Sequence, residues 1–242
     1  MTNQASEEPM SNEPSKEIPL NTVICGDCLE VMKDISDNSV DLIITSPPYN
    51  LGNDHHTGNI KHNPYDDDLP EDEYQQQQID VLNELYRITK DSCFYNHKNR
   101  IKKGKMITPY EWLLKTNWTI KQELVWFNRS QNFDKIRFYP MTERVYWLVK
   151  DNTSFYNHIN HHDLFQWQPE GTNKHHTRAF PESMVRDLIA CFPDAQTVLD
   201  PYMGSGTVAR VCADLGKNFI GIEVNQEYCD IANERLKQGV LL

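Results

Sequence analysis

No stretch of this chain approaches the ~18 consecutive apolar residues that span a bilayer, and no secretory leader opens it. The expectation is a cytoplasmic protein with no membrane partner. A disulfide framework is missing too. The six cysteines (Cys25, Cys28, Cys93, Cys191, Cys212 and Cys229) are scattered along the chain, as suits a reducing compartment. Cys25-Gly-Asp-Cys28 has no second pair to complete a zinc site and no redox context. The pairs His55-His56, His161-His162 and His175-His176, with His158, lack any ligand spacing, so no metal is expected. Internal repeats are absent.

What is present begins with an uneven charge distribution. The net charge is −11, which by itself argues against a polyanionic partner. Residues 1–85, however, hold 18 acidic and 3 basic side chains, and residues 98–150 hold 12 basic and 4 acidic ones. The basic middle includes Lys98, Arg100, Lys102, Lys103, Lys105, Arg129 and Arg137, and aromatic residues are interleaved with it. Such a stretch can follow a phosphate backbone. Residues 1–20 are polar, acidic and Pro-containing and read as a disordered leader.

Seven short runs rich in β-branched and aromatic residues predict strands: 22–25, 40–45, 92–97, 120–127, 145–149, 197–200 and 219–223. Helical spacing of apolar residues separates several of them, as at Met184, Val185, Leu188, Ile189 and Phe192. The 242 residues suit one α/β domain with a seven-stranded, mostly parallel sheet and helices on both faces. Sheets of this kind bind ligands beyond the C-terminal strand ends. Residues 51–78 read as an irregular, mobile loop, and 98–106 and 151–178 also read as irregular.

Two strand exits carry the chemistry. After 197–200 comes Asp200-Pro-Tyr-Met-Gly-Ser-Gly-Thr207, which opens a helix. Gly204 and Gly206 allow a tight turn and close approach of a ligand, and the helix N-terminus supplies free N–H groups. Glu223 ends the next strand about twenty residues on, where an acid can accept ribose hydroxyls. No Lys-Ser/Thr follows the glycines, which excludes a P-loop. The turn nearly matches a dinucleotide fingerprint and does not fix the cofactor alone. Asp200 favours a ligand with an ammonium group, such as S-adenosylmethionine, over NAD.

The other exit is Ser46-Pro47-Pro48-Tyr49. Two prolines cannot continue a strand; they hold the chain rigid and leave carbonyls that no ladder uses. Ser46 adds a hydroxyl acceptor and Tyr49 a flat face. A planar base with an exocyclic amino group fits such a cluster. Acceptors on both N–H bonds would localise a lone pair that is otherwise delocalised into the ring.

These two motifs, in this order, resemble the β-type amino-group DNA methyltransferases, a circularly permuted group in which the catalytic Asp/Ser-Pro-Pro-Tyr precedes the cofactor motif. The resemblance covers nearly everything from residue 21 onward. It implies a Rossmann-like methyltransferase domain over 21–242, with a catalytic half (21–150), a short DNA-recognition insertion (151–178) and a cofactor-binding half (179–242). Ser46, Pro47, Pro48 and Tyr49 match the catalytic motif. Asp200, Gly204, Gly206 and Thr207 match the cofactor loop, and Glu223 matches the ribose acid. Asp27 takes the acidic position near the cofactor adenine. Phe180 and Pro181 match the segment lining the methionine end. The implied cofactor is S-adenosylmethionine and the implied partner double-stranded DNA. A cognate restriction endonuclease is the further partner such enzymes take. Ser46 stands where adenine-N6 enzymes more often carry Asp, yet Ser46-Pro-Pro-Tyr-Asn-Leu51 continues as in adenine enzymes, so the target base is open. The recognition insertion is short, which implies a short site, help from a second copy in a homodimer, or both. An RNA or protein-amide methyltransferase and a catalytically silent partner subunit are the alternatives.

Overall fold

The computed structural model describes residues 18–52, 67–128, 138–150, 162–167 and 181–238. The main sheet is built from β1 (Thr22–Cys25), β2 (Val40–Thr45), β3 (Thr89–His97), β6 (Thr119–Phe127), β7 (Thr142–Val149), β8 (Leu164–Phe165), β9 (Thr197–Asp200) and β10 (Asn218–Glu223), in the order β1-β10-β9-β2-β3-β7-β6-β8. All seven predicted strands are in it. It has 8 strands rather than the expected seven, because β8 joins its edge in parallel with β6. Two residues flanked by polar ones carry too little periodicity to show in a sequence. Only the β3–β7 and β7–β6 neighbours run antiparallel.

The central strands are buried on both faces, and successive residues join opposite cores. Leu42, Ile44 and Phe94 join the core on one face, packed beneath α4 (Glu182–Ala190), α5 (Thr207–Asp214) and α6 (Gln226–Gln238). Ile43, Cys93 and Tyr95 join the core on the other, beneath α1 (Cys28–Met32), α2 (Glu71–Ile88) and α3 (Tyr110–Leu113). This side-to-side switching follows from the two-residue period of a strand. The outcome is a three-layer α/β fold with one core above the sheet and one below.

β9 and β2 lie side by side and parallel, with Leu42 opposite Val198 and Ile43 opposite Leu199. From β9 the chain returns to β10 on one side; from β2 it returns to β3 on the other. The strand order therefore reverses between β9 and β2, which opens a crevice at their C-terminal ends. Both motif-bearing exits leave from those ends.

Two segments expected to be irregular are ordered. Glu71–Gln78, assigned to the mobile loop 51–78, forms the first turns of α2. Glu71, Asp72 and Glu73 sit at the positive end of the helix dipole, and the glutamines that follow are good helix formers. The basic stretch 98–106 contains a hairpin, β4 (Arg100–Lys102) paired with β5 (Lys105–Ile107). Its two turn residues, Lys103 (φ +51°) and Gly104 (φ +76°), are both left-handed, as a two-residue hairpin turn requires. Residues 53–66, most of 151–178 and the leader through residue 17 lie outside the described residues, as do Arg129, Arg137, Phe180 and every histidine noted above except His162.

Candidate active site

The register of β9 and β2 delivers Asp200 and Thr45 as neighbours at the crevice. Thr45 Oγ1 donates to Asp200 Oδ1 at 2.9 Å, so the cofactor-type turn and the Ser-Pro-Pro-Tyr exit are joined at their roots. Tyr202 N–H donates to the same oxygen at 3.1 Å. Among the described residues no cation pairs with this buried carboxylate. Burial pushes its pKa up to about 7, the two hydrogen bonds pull it down, and the Glu223 charge adds to the rise.

The glycine turn is shaped by close contacts. Gly206 (φ +83°) caps α5, and a Cβ there would stand 2.8 Å from Ala232 Cβ. Gly221, in the neighbouring strand, lies directly under Met203; a Cβ there would stand 2.1 Å from the Met203 sulfur. Gly204 N–H donates to Glu223 Oε2 (2.9 Å) and Asn225 N–H to Oε1 (2.8 Å). Each carboxylate oxygen thus keeps lone-pair capacity for a ligand hydroxyl. Burial raises the Glu223 pKa above the ordinary range, and these N–H groups oppose that rise. Thr207 is the first residue of α5 and buried. Cys25 pairs with Glu223 in register, and the chain then turns so that Asp27 follows close by. Asp27 is exposed and accepts from Leu29 N–H and Glu30 N–H as the N-cap of α1. Pro181 caps α4. Arg235 ties that helix start to the turn, donating to the Ser205 carbonyl (2.7 Å) and to Glu182 (3.3 Å).

The second loop is equally fixed. Tyr74 Oη donates to the Pro48 carbonyl at 2.7 Å. With its proton on Nε2, neutral His97 accepts from Lys98 N–H (2.8 Å) and donates to Tyr74 Oη (2.7 Å). Burial lowers the His97 pKa to about 3, so the ring stays neutral. The Pro47 carbonyl, by contrast, has no hydrogen-bond donor among the described residues. Ser46 Oγ and Tyr49 Oη share a hydrogen bond of 2.9 Å. Asn96 Oδ1 accepts from both, at 3.3 and 2.6 Å, and its amide nitrogen is tied to the Arg144 carbonyl. Tyr49 Oη also donates to Glu143 Oε2 at 2.9 Å. One face of the Tyr49 ring packs on His97, centroids 4.6 Å apart. Asn50, in the left-handed region (φ +54°), exchanges two hydrogen bonds with Leu69 and donates its backbone N–H to Asp67 Oδ1 (2.7 Å), which fastens it to residues 67–69.

Of the basic residues proposed to meet a polyanion, Arg100 is withdrawn. It is buried, makes a two-pronged salt bridge to Glu71 (2.7 and 2.9 Å), and lies 4.8 Å over the Tyr74 ring. A guanidinium so engaged fastens the hairpin to α2 and is not free for phosphate. Lys103 and Lys105 are exposed on the hairpin, Lys102 is half-buried, and Lys98 Nζ stands 5.4 Å from the Tyr49 ring centre. Asn50, Asn96, Glu143, Gly221 and Arg235 were not singled out from sequence; their partners are far away along the chain.

The doubly wound sheet thus sets a glycine turn and its acid, Glu223, on one side of the crevice and a rigid acceptor loop on the other. A family model described as DNA methylase (N6/N4 methyltransferase) matches residues 40–234, and the chain belongs to that family. The type II methyltransferase M.HpaI of Haemophilus parainfluenzae is 28% identical over 244 residues, covering 88% of this chain and 73% of that protein. The orphan methyltransferase M.BamHII of Bacillus amyloliquefaciens is 27% identical, with 87% and 93% covered. Among solved structures, the PvuII DNA methyltransferase (cytosine-N4-specific) shares the fold with a TM-score of 0.73 at 21% identity, covering 88% of this chain and 85% of that one. The M1.HpyAVI–SAM complex gives a TM-score of 0.57 at 24% identity, covering 88% and 98%.

Proposed function

We propose that this chain methylates the exocyclic amino group of a base turned out of double-stranded DNA, adenine N6 or cytosine N4, by direct in-line attack. The observation that carries this is the Thr45–Asp200 hydrogen bond, which sets the amino-group loop beside the cofactor turn.

The residues present fit S-adenosylmethionine. Asp200 is a buried carboxylate with no cation among the described residues, and an α-ammonium group would supply one. Glu223 keeps acceptor capacity for ribose hydroxyls, Asp27 lies exposed at the adjoining strand end, and Gly204, Gly206 and Thr207 bring the backbone close to the ligand. Phe180 and Pro181 line the methionine end in this reading. When bound, S-adenosylmethionine supplies an electrophilic sulfonium methyl group.

The protein's own part is to prepare the amino nitrogen. Ser46 Oγ and one proline carbonyl accept its two N–H bonds. The Pro48 carbonyl already accepts from Tyr74, whereas the Pro47 carbonyl has no donor among the described residues, so Pro47 is the favoured acceptor. Both groups are held rigid before the base arrives, so little reorganisation opposes the reaction. Tyr49 stacks on the extruded base, which offsets part of the unstacking cost. His97 backs the ring from one side. Lys98, Lys102, Lys103 and Lys105 contact phosphates, with Arg129 and Arg137 joining them. Both adenine and cytosine present an amino group beside a ring acceptor, so Ser46 serves either. The recognition function falls to 151–178.

Tritiated methyl transfer to unmethylated DNA tests the reading. Transfer should occur, and Tyr49→Ala and Asp200→Ala should each reduce it at least about 100-fold. Transfer to RNA or a protein amide in place of DNA contradicts it. No transfer except with a second, active subunit would favour the silent-partner alternative.

A further inference from the structure

An amino nitrogen that gains a methyl group must also lose a proton. The lone pair forms the new C–N bond while the methyl–sulfur bond breaks, its electron pair staying on sulfur. The nitrogen is then positively charged, and only loss of an N–H proton returns a lone pair to the ring. Ser46 and Pro47 can accept hydrogen bonds, but neither is a base. Asn96 cannot accept a proton at ordinary pH.

A base lies one hydroxyl further out. Ser46 Oγ is 2.9 Å from Tyr49 Oη, and Tyr49 Oη donates to Glu143 Oε2 at 2.9 Å. The other carboxylate oxygen of Glu143 accepts from Asn128 Nδ2 at 3.1 Å. No cation among the described residues pairs with Glu143. Its neighbour Arg144 turns to Glu123 and Thr142 instead. Lys98 stands over the Tyr49 ring and Asn96 beside its hydroxyl. Glu143 is half-buried, so it meets the site through Tyr49 and is partly open to solvent.

We propose that Ser46, Tyr49 and Glu143 form the proton exit route of the reaction. One proton of the target amino group passes to Ser46 Oγ, the Ser46 proton to Tyr49 Oη, and the Tyr49 proton to the Glu143 carboxylate, which releases it to water. Each hydroxyl gains one proton and gives one up, and the net change is one proton moved from base to solvent. The Tyr49 proton has two acceptors, Asn96 and Glu143. Rotation about its C–O bond moves it from the amide, which cannot keep it, to the carboxylate, which can. Burial and the Glu143 charge hold the Tyr49 pKa well above the ordinary phenol range, so Tyr49 conducts a proton and is not itself the base. Glu143 is thus a positioning residue for Tyr49 and the terminal acceptor of the chain.

The route rests on the amino-methylation reading, and the test separates the two. If the wild-type protein transfers no methyl group to DNA, that reading fails whatever Glu143 does. If the wild type is active, single-turnover rates of Glu143→Gln and Glu143→Asp decide the route. Gln keeps the length and the hydrogen-bond acceptor but cannot take the proton; Asp keeps the base but shortens the reach. The expected result is a loss on the order of 100-fold in Gln, a smaller loss in Asp, and no further loss when Tyr49→Phe is combined with Gln. Gln equal to or faster than Asp, or losses that multiply, would overturn the route and leave Glu143 with a packing role. A second readout needs no turnover. In the free protein labelled with 3-fluorotyrosine, Glu143→Gln should lower the pH at which the Tyr49 resonance titrates, because a facing negative charge is removed. An unmoved titration would remove Glu143 from contact with Tyr49.

Discussion

Asp200 is a carboxylate held where its charge is costly. Its pKa of about 7 comes first from burial, against the pull of Tyr202 N–H and Thr45. Between the ordinary carboxylate value and about 7, the folded apoprotein carries a proton that the unfolded chain has released. The raised pKa therefore costs stability as pH climbs through that window. A ligand ammonium reverses the preference, because it pairs only with the ionised form. The stabilisation conferred by S-adenosylmethionine should accordingly grow from about pH 5.5 to about pH 7.5, approaching a tenfold gain in affinity per unit while Asp200 is protonated. Calorimetric titration across that range checks this, with Asp200→Asn as the variant whose affinity stays flat. A wild-type affinity independent of pH would mean that Asp200 does not meet the ammonium group.

The hairpin β4–β5 shows why a charge run must be divided before it is interpreted. Arg100 points inward to Glu71 and the aromatic rings of Tyr74 and Trp112, while Lys103 sits exposed at the turn. Arg100→Ala should cost stability, by about 3 kcal/mol, since it strands a partly buried carboxylate. Lys103→Ala should leave stability within about 0.5 kcal/mol and weaken DNA binding, with a salt slope smaller by about one. Denaturant unfolding and DNA titration at several salt concentrations separate the two effects. Equal losses of DNA affinity with no loss of stability in Arg100→Ala would contradict the assignment. In sequence these bases look alike, because the burial of a side chain depends on partners in α2, some thirty residues earlier. The strands were legible because β-branched runs report burial on both faces locally. The start of α2 was not, since glutamines and acids also compose loops. β8 is too short to have a period. The two motif loops were legible because each packs its chemistry into consecutive residues; Asn96, Glu143 and Arg235 act on those loops from separate strands and helices, and only folding brings them there.

In the molecule as a whole, one topological fact organises the rest. The chain reverses direction across the sheet between β9 and β2, so two loops more than 150 residues apart open on the same crevice. One core lies beneath each face of the sheet, and each motif helix or strand is rooted in one of them. That leaves the crevice rigid at its base, with Asn50 fastened to Asp67 and Leu69 beside it. The basic hairpin is tied to the same loop, Arg100 donating to the Asn50 carbonyl at 3.4 Å, and carries the exposed lysines proposed to meet phosphates. The most direct test is to incubate the protein with unmethylated genomic DNA and S-adenosylmethionine and analyse the nucleosides by mass spectrometry. The account predicts accumulation of N6-methyladenine or N4-methylcytosine, one of the two and not both, and its loss in Tyr49→Ala. Methylation on a ring carbon, or unmodified DNA alongside methylated RNA, would contradict it.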